Sequence, residues 1–589
     1  MSDGFWADGG RRRLSRRSLI RGGSVAGAGL LGAALVGCGG SDEVATATAT
    51  AAPAGTTAAP ATATEVVAAG PKRGGRYQTY VVVDPTSLDP YANLSYTVKG
   101  FAAYVYSRLF RIDAQPGTPP EDAGLVADLA ESAESPDGMT WTVKLKPGAK
   151  FQNIAPVNGR EITSEDVLFS FGRLTAPESP GGTLVPKGMT LSAVDDHTLQ
   201  FTVPAPSPTM LDFLADANLL WIMPKESDGG FDPIQTPIGS GPWILENYDA
   251  AAKMTYKANP DYFVEGLPYM DGIDVSIIPE YANYKAQFDA GNIDGFTPAA
   301  NDVLSMKSQH ADLQWLGAIS LGLLFVFFSG EDQDPNAPWR DERYRQAVSH
   351  AIDRDGLFEL IYNYTKLVEG GFEMSSDWNN ILPRGYGSRA WLDPKSAAQG
   401  PSAKFFNYDP AEARKLLEAV GGSDQPFTYQ YTGNGYGANF VTYAEAIGNW
   451  LSEVGLKPQT ETQDYSSQYI TQTFRGNFHG LTTGLQTPFP EPGSWVNRMF
   501  GDDPANGSRV HDPKIDELNA KQKVEIDPKA RIEYFHEIQR LSDQAMYYVP
   551  TPGSGGTAWT AYQPRVRGIR STRGYGAPTE SWAQYWLDV

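Results

Sequence analysis

Between Met139 and Gly148 the chain reads MTWTVKLKPG, in which Trp141, Val143 and Leu145 alternate with Thr142, Lys144 and Lys146. A period of two predicts a strand with one buried face, entered through the turn SPDG at 135–138. Elsewhere the period is that of a helix. Thr163 is placed to cap one whose Val167, Phe171 and Leu174 share a face. Asp341 can cap a second, with Tyr344, Ala347, Val348, Ala351 and Ile352 on one side. A third carries start and stop signals together: Asp409 as cap, Pro410 in the first turn, Glu412 to complete a capping box, and Gly421 at the end. The apolar run LGLLFVFFSG at 321–330 is about ten residues, too short to span a bilayer, and predicts a buried strand. Strands alternating with helices predict an α/β fold.

The first 37 residues follow a different pattern. Arg11, Arg12, Arg13, Arg16, Arg17 and Arg21 precede an uncharged stretch, Gly22 to Gly37, rich in Gly, Ala, Leu and Val. A basic segment, a short apolar segment and small residues are the parts of a secretory signal. Arg16 and Arg17 lie in SRRSLIRG, which resembles a twin-arginine export signal. Leu35-Val36-Gly37-Cys38 resembles a bacterial lipobox, in which the cut falls before the cysteine and its sulfur takes a diacylglycerol. Cys38 is the only cysteine among 589 residues, so no intramolecular disulfide can form. From Ser41 to Gly70 the chain is Ala- and Thr-rich with no aromatic residue, a composition that predicts a flexible tether. The expected divisions are therefore a signal peptide over 1–37, a lipidated tether over 38–71, and a globular part from Lys72 onward.

Composition narrows the function of that globular part. With 41% hydrophobic and 12% aromatic residues the whole chain can bury large cores, and its length predicts about three or four domains. A net charge of -21 argues against nucleic acid as a partner. No local pattern carries catalysis. The six histidines, His197, His310, His350, His479, His511 and His536, are too far apart for a local zinc pair. FHEIQR at 535–540 has Arg540 where a metalloprotease has its second histidine. Asp332, Asp334 and Asn336 imitate the start of a calcium loop, but Ala337 and Arg343 stand where its glycine and closing glutamate belong. The chain is expected to hold no metal and no cofactor, and to be no enzyme.

The order of segments resembles a known family. SLDP (87–90), VYSRLF (105–110), DLAESAESPDGMTWTVKLKPGAKF (128–151) and ITSEDVLFSFGRL (162–174) come first. GSGPWIL (239–245), NPDYF (259–263), YRQAVSHAIDRDGL (344–357), YDPAEARKLLEAVG (408–421) and LSEVGLKP (451–458) follow. These blocks are similar to those of the family 5 solute-binding proteins, the oligopeptide/dipeptide/nickel-binding group of ABC importers. The resemblance runs from about Lys72 to the C-terminus. It implies a type II periplasmic-binding-protein fold: lobe I over 72–107, 233–320 and 548–589, an extra α/β domain over 108–232, and lobe II over 321–547. The strand at 321–328 and YYVP at 547–550 would be the hinge crossings.

By the same resemblance, Asn93, Leu94, Ser95 and Tyr96 would line the ligand cleft from one side. Leu485, Gln486, Thr487 and Phe489 would line it from the other. Peptide-binding members carry an aspartate in this second loop to neutralise a free amine; here no acid precedes Glu491, with Asp464 the other candidate. A neutral polar ligand or a blocked peptide is therefore expected over a free peptide. The implied function is that of a lipid-anchored monomeric receptor outside the cell membrane, or in a periplasm. It would pass a peptide-like or other polar oligomeric solute to an ABC permease and its ATPase. The alternative is a tethered extracellular sensor or peptide chaperone with the same fold. If the lipobox reading holds, Cys38→Ser abolishes incorporation of radiolabelled fatty acid and releases the protein from membranes; continued labelling would contradict it.

Overall fold

The computed structural model describes residues 70–94, 96–113, 123–319, 323–421, 424–434, 436, 438–486, 489, 491–501, 506–552, 557–570, 579 and 581–589. Arg16, Arg17, Cys38 and the expected tether up to residue 69 lie outside them.

The alternating segment around Trp141 forms the strand Thr140–Leu145, with Trp141, Val143 and Leu145 buried. It pairs on both sides in an antiparallel sheet of order Ala130–Glu134, Thr140–Leu145, Thr198–Thr202, Thr190–Asp195. The helix Ser164–Thr175 starts at Thr163 through a capping box closed by Asp166. Asp166 also receives Arg160 at 2.6 Å, and Arg160 bridges at the same distance to Glu226. The apolar core under this sheet is continuous with that of a second, mixed sheet. Trp141, Val143 and Phe201 belong to one cluster with Tyr77, Trp243 and Ile273. That second sheet has the order Arg76–Val81, Gly272–Ile277, Lys253–Ala258, Trp243–Asp249, its first pair parallel. A three-stranded antiparallel sheet, Gly295–Phe296, Ala558–Tyr562 and Gln314–Ala318, brings in the C-terminal segment.

The apolar run becomes the strand Leu323–Phe328, all six residues buried. Leu324, Val326 and Phe328 enter one core, with Tyr344, Val348 and Leu417. Leu323, Phe325 and Phe327 enter another, with Trp495, Phe535 and Tyr548. A strand covered on both faces needs no polar alternation. The sheet around it has the order Lys457–Gln463, Pro426–Thr432, Leu481–Gln486, Leu323–Phe328, Val549–Pro550. Val549–Pro550, expected in a hinge, is thus a strand of this sheet, paired with Phe325 and Val326. The three-stranded sheet ends at Ala318 before the five-stranded sheet takes up Leu323, and the chain returns from Pro550 in the five-stranded sheet to Ala558 in the three-stranded one.

Asp341 caps the helix Glu342–Ala351 by accepting from the Arg343 amide, and Asp409 caps Pro410–Val420 by accepting from the Ala411 and Glu412 amides. The expected capping box at Asp409 does not close. The Asp409 N–H donates to the His350 carbonyl at 2.9 Å, and Glu412 turns instead to Lys415 at 3.0 Å. Among the described residues no helix is long and apolar enough to cross a membrane.

Asp543, on the helix Pro528–Ala545, accepts from Gln399 Nε2 at 2.6 Å in the interior. Burial pushes its carboxyl up to about 8, against the opposing hydrogen bond from Gln399 and the charge of Arg354. The unfolded chain releases this proton near pH 4 and the folded chain near pH 8. Asp543 therefore withdraws stability as pH rises through that window, by up to about tenfold in the unfolding equilibrium per pH unit, the one-proton limit. Asp543→Asn removes this slope; denaturation midpoints of both proteins from pH 4.5 to 8.5 should converge at the acid end and separate toward the alkaline end.

Candidate functional site

The SLDP segment is a folding device with the site beside it. Asp89 takes the Tyr91 amide at 2.9 Å and Arg173 Nη2 at 2.7 Å, and its own N–H donates to Ser87 Oγ at 3.0 Å. Tyr91 donates its hydroxyl to the Trp221 carbonyl at 2.6 Å. Lys99 is buried and donates to the Pro90 carbonyl; burial lowers it to about 8 despite the nearby Asp216 and Asp89. These bonds set the position of the helix Tyr96–Val105.

One face of that helix borders a cavity of about 390 Å³ through Thr97, Gly100, Phe101 and Tyr104. The first strand adds Tyr77, Thr79 and Tyr80, and continues along the rim with the exposed Val82 and Val83. Gly295, Phe296 and Thr297 form a third part of the wall. Thr560, Tyr562, Thr579 and Trp582, from the C-terminal segment, complete it. No Asp, Glu, Lys, Arg or His is among the described lining residues. Tyr77 and Trp582 pack with ring centroids 4.9 Å apart, and Tyr104 lies 5.6 Å from Trp582. The Thr297 and Thr560 hydroxyls meet at 2.9 Å. Burial pushes the Tyr77, Tyr80 and Tyr562 phenols above their ordinary range, so they stay protonated and neutral.

Two glycines shape this wall. A Cβ on Gly295 would lie 2.6 Å from the Tyr77 hydroxyl and 3.1 Å from the Tyr562 ring, so only glycine lets both approach. At Gly100 the direction of a Cβ is open space. A glycine in the middle of a helix lowers its stability, and here it leaves cavity volume unfilled.

The residues singled out from the sequence take other positions. Asn93 donates to Thr86 Oγ1 at 3.0 Å, and Leu94 is half-buried; the described lining begins only at Thr97. Tyr96 opens the helix and Ser95 lies outside the described residues. Leu485 pairs with Leu324 and packs on the core of the five-stranded sheet. Gln486 is buried, its Nε2 3.5 Å from Met499 Sδ, beside a small void of about 10 Å³ shared with Phe327 and Thr482. Phe489 is core, and its carbonyl accepts from the Tyr386 hydroxyl at 2.6 Å. Thr487 lies outside the described residues.

A sequence model of the bacterial extracellular solute-binding proteins, family 5 (middle region), matches residues 124–507. The chain belongs to this family. Family 5 proteins bind solutes and are not enzymes. Di/tripeptide-binding protein 2 of Pseudomonas aeruginosa is 25% identical over 499 residues, 79% of this chain and 87% of that protein. Heme-binding protein A of Haemophilus influenzae is 25% identical over 485 residues, 76% of this chain and 82% of that one. A periplasmic binding protein of Helicobacter pylori, solved with the peptide STSA, superposes with a TM-score of 0.71 at 21% identity, over 88% of this chain and 99% of its own. The fold of this family 5 protein is that of the type II periplasmic binding proteins.

Neither acid considered for a ligand amine stands idle. Asp464 accepts from Asn434 Nδ2 at 2.9 Å and from the Ser467 amide at 2.9 Å, as a helix cap. Glu491 lies 2.5 Å from Arg531 and takes the Ser494 amide at 2.8 Å, capping Pro492–Met499. Burial alone would raise the Glu491 carboxyl, but Arg531 and the Gly493 and Ser494 amides hold it below its ordinary value. Glu491→Ala, which leaves Arg531 without this partner, is expected to lower the unfolding free energy by about 3 kcal/mol or more, read as a fall in the urea midpoint.

Proposed function

We propose that this family 5 protein is a lipid-anchored receptor of an ABC importer. It captures a polar solute by closing two lobes and hands it to a permease. The cavity carries the reading: a preformed pocket of about 390 Å³, within the roughly 300–1,000 Å³ range of small-molecule sites. Its Thr560 and Tyr562 sit just beyond the second passage, 551–557, between the two sheets. In the proposed division, lobe I holds the mixed and three-stranded sheets, and lobe II is built on the five-stranded sheet. The antiparallel sheet around Trp141 is the extra domain, fused to lobe I through their common core. The two passages act as a hinge, a known mode of closure around ligands.

A small apolar cluster supports a hinge at this place. Val303, Trp315 and Trp559 meet Leu367 and Phe372, and Trp559 lies 4.8 Å from Phe372. Lys307 donates to the Gly370 carbonyl at 2.9 Å, and the Ser375 amide to Thr557 Oγ1 at 3.0 Å. These contacts join the proposed lobes close to the passages; farther away, Leu184 packs on the core of the five-stranded sheet and Asp212 pairs with Arg389 at 3.6 Å, contacts that closure would have to preserve or exchange. Export through Arg16 and Arg17 and acylation of Cys38 would place the receptor on the outer face of the membrane.

Closure makes the particle more compact. Small-angle scattering with and without a bound oligosaccharide or peptide should show a smaller radius of gyration in the complex. Binding demonstrated by calorimetry with no change in radius would remove the two-lobe clamp.

A further inference from the structure

We infer that the ligand of this cavity is a neutral, ring-bearing, hydroxyl-rich compound of the short-oligosaccharide class. The inference rests on the receptor reading above and adds the chemistry of its solute. A free peptide or organic acid brings formal charge into a closing site, and a buried charge needs an opposite partner or costs several kcal/mol. The described wall offers none. Glu491 and Asp464, the acids considered from the sequence, are tied to Arg531 and to helix caps, and Asp294, next to the lining residue Gly295, is buried and tied to Arg565 at 2.6 Å and to the Gln78 amide at 2.7 Å.

What the wall does offer is hydroxyls and ring faces. Thr79, Thr97, Thr297, Thr560 and Thr579 each bring a group that both donates and accepts, next to a methyl. Tyr77 and Trp582 add a phenol and an indole N–H, and neither makes a hydrogen bond through these groups among the described residues. Around them stand the faces of Tyr80, Tyr104 and Phe296. A sugar ring has the matching form: one apolar C–H face to lie on an aromatic ring, and an edge of hydroxyls that each need a donor or an acceptor. Gly100 supplies the room, since any side chain there would occupy the space taken by the ligand.

The purified full chain is equilibrated with two mixtures: neutral oligosaccharides from hydrolysed starch, cellulose and xylan, and free peptides from a casein digest. Retained compounds are released and identified by mass spectrometry, and affinities follow by calorimetry. The wild type is expected to retain a neutral oligosaccharide. Gly100→Leu should weaken its binding at least tenfold with an equal or higher melting temperature, because a helix interior gains from losing glycine. Thr560→Val, which keeps shape and strand preference but removes a hydroxyl, should weaken it about fivefold or more. Equal binding by both variants overturns the assignment to this cavity. A charged free peptide whose retention Gly100→Leu abolishes overturns the neutral-ligand inference and leaves the receptor standing. Retention of nothing from either mixture, with an unchanged radius of gyration, overturns both.

Discussion

The strand Leu323–Phe328 is the constraint from which the other half of the molecule is built. Its six apolar side chains point alternately into two separate cores, and each fully buried one contributes about 1.5–3 kcal/mol. It lies between Leu481–Gln486 and Val549–Pro550, so it also brings the chain's outward and returning passages side by side. Thr551 makes this junction firm: its amide and its hydroxyl both donate to the Leu324 carbonyl, at 3.1 and 2.7 Å. One sheet thus holds both passages at neighbouring points. A body joined to another by two adjacent strands of chain can rotate about the line through them with little other distortion.

On the other side, a comparable anchoring fixes the cavity. Asp89 and Arg173 tie the turn before the helix Tyr96–Val105 to the helix Ser164–Thr175, and that helix is tied through Asp166 and Arg160 to Glu226. The antiparallel sheet around Trp141 thereby stiffens the wall that carries Gly100 and Tyr104, although it contributes none of the described lining itself. The shared core explains why this segment is not a detachable module: Trp141 and Trp243 are packed in one continuous interior.

Local chemistry was legible in the sequence where one stretch of chain carries it. Trp141, Val143 and Leu145 alternate because their strand has one covered face, and the caps at Asp341 and Asp409 act through neighbouring amides. The capping box at Asp409 misled because a distant group, the His350 carbonyl, takes the amide that Glu412 would have used. The cavity was not legible for a similar reason. Its wall combines the first strand, the helix after SLDP, the residues around Phe296 and the C-terminal segment, up to about 500 positions apart in the chain. Threonine and glycine dominate its polar and open parts, and neither has a periodic signature. The SLDP motif precedes the helix that borders the cavity, but the side chains of Ser87 and Asp89 are engaged in holding that helix.

The distribution of charge separates the fold from the site. The chain carries a net charge of -21, yet the described cavity wall contains no group that changes charge near neutral pH, the phenols of Tyr77, Tyr80 and Tyr562 being held protonated by burial. Stability is expected to respond to pH through Asp543, whose carboxyl burial holds well above its ordinary range. An acidic surface repels anionic solutes and leaves neutral ones unaffected. A wall whose described residues carry no charge attracts through burial and hydrogen bonds, which depend little on ionic strength. Acidity of the chain and the absence of charge among the described lining residues then act in the same direction: both disfavour an anion.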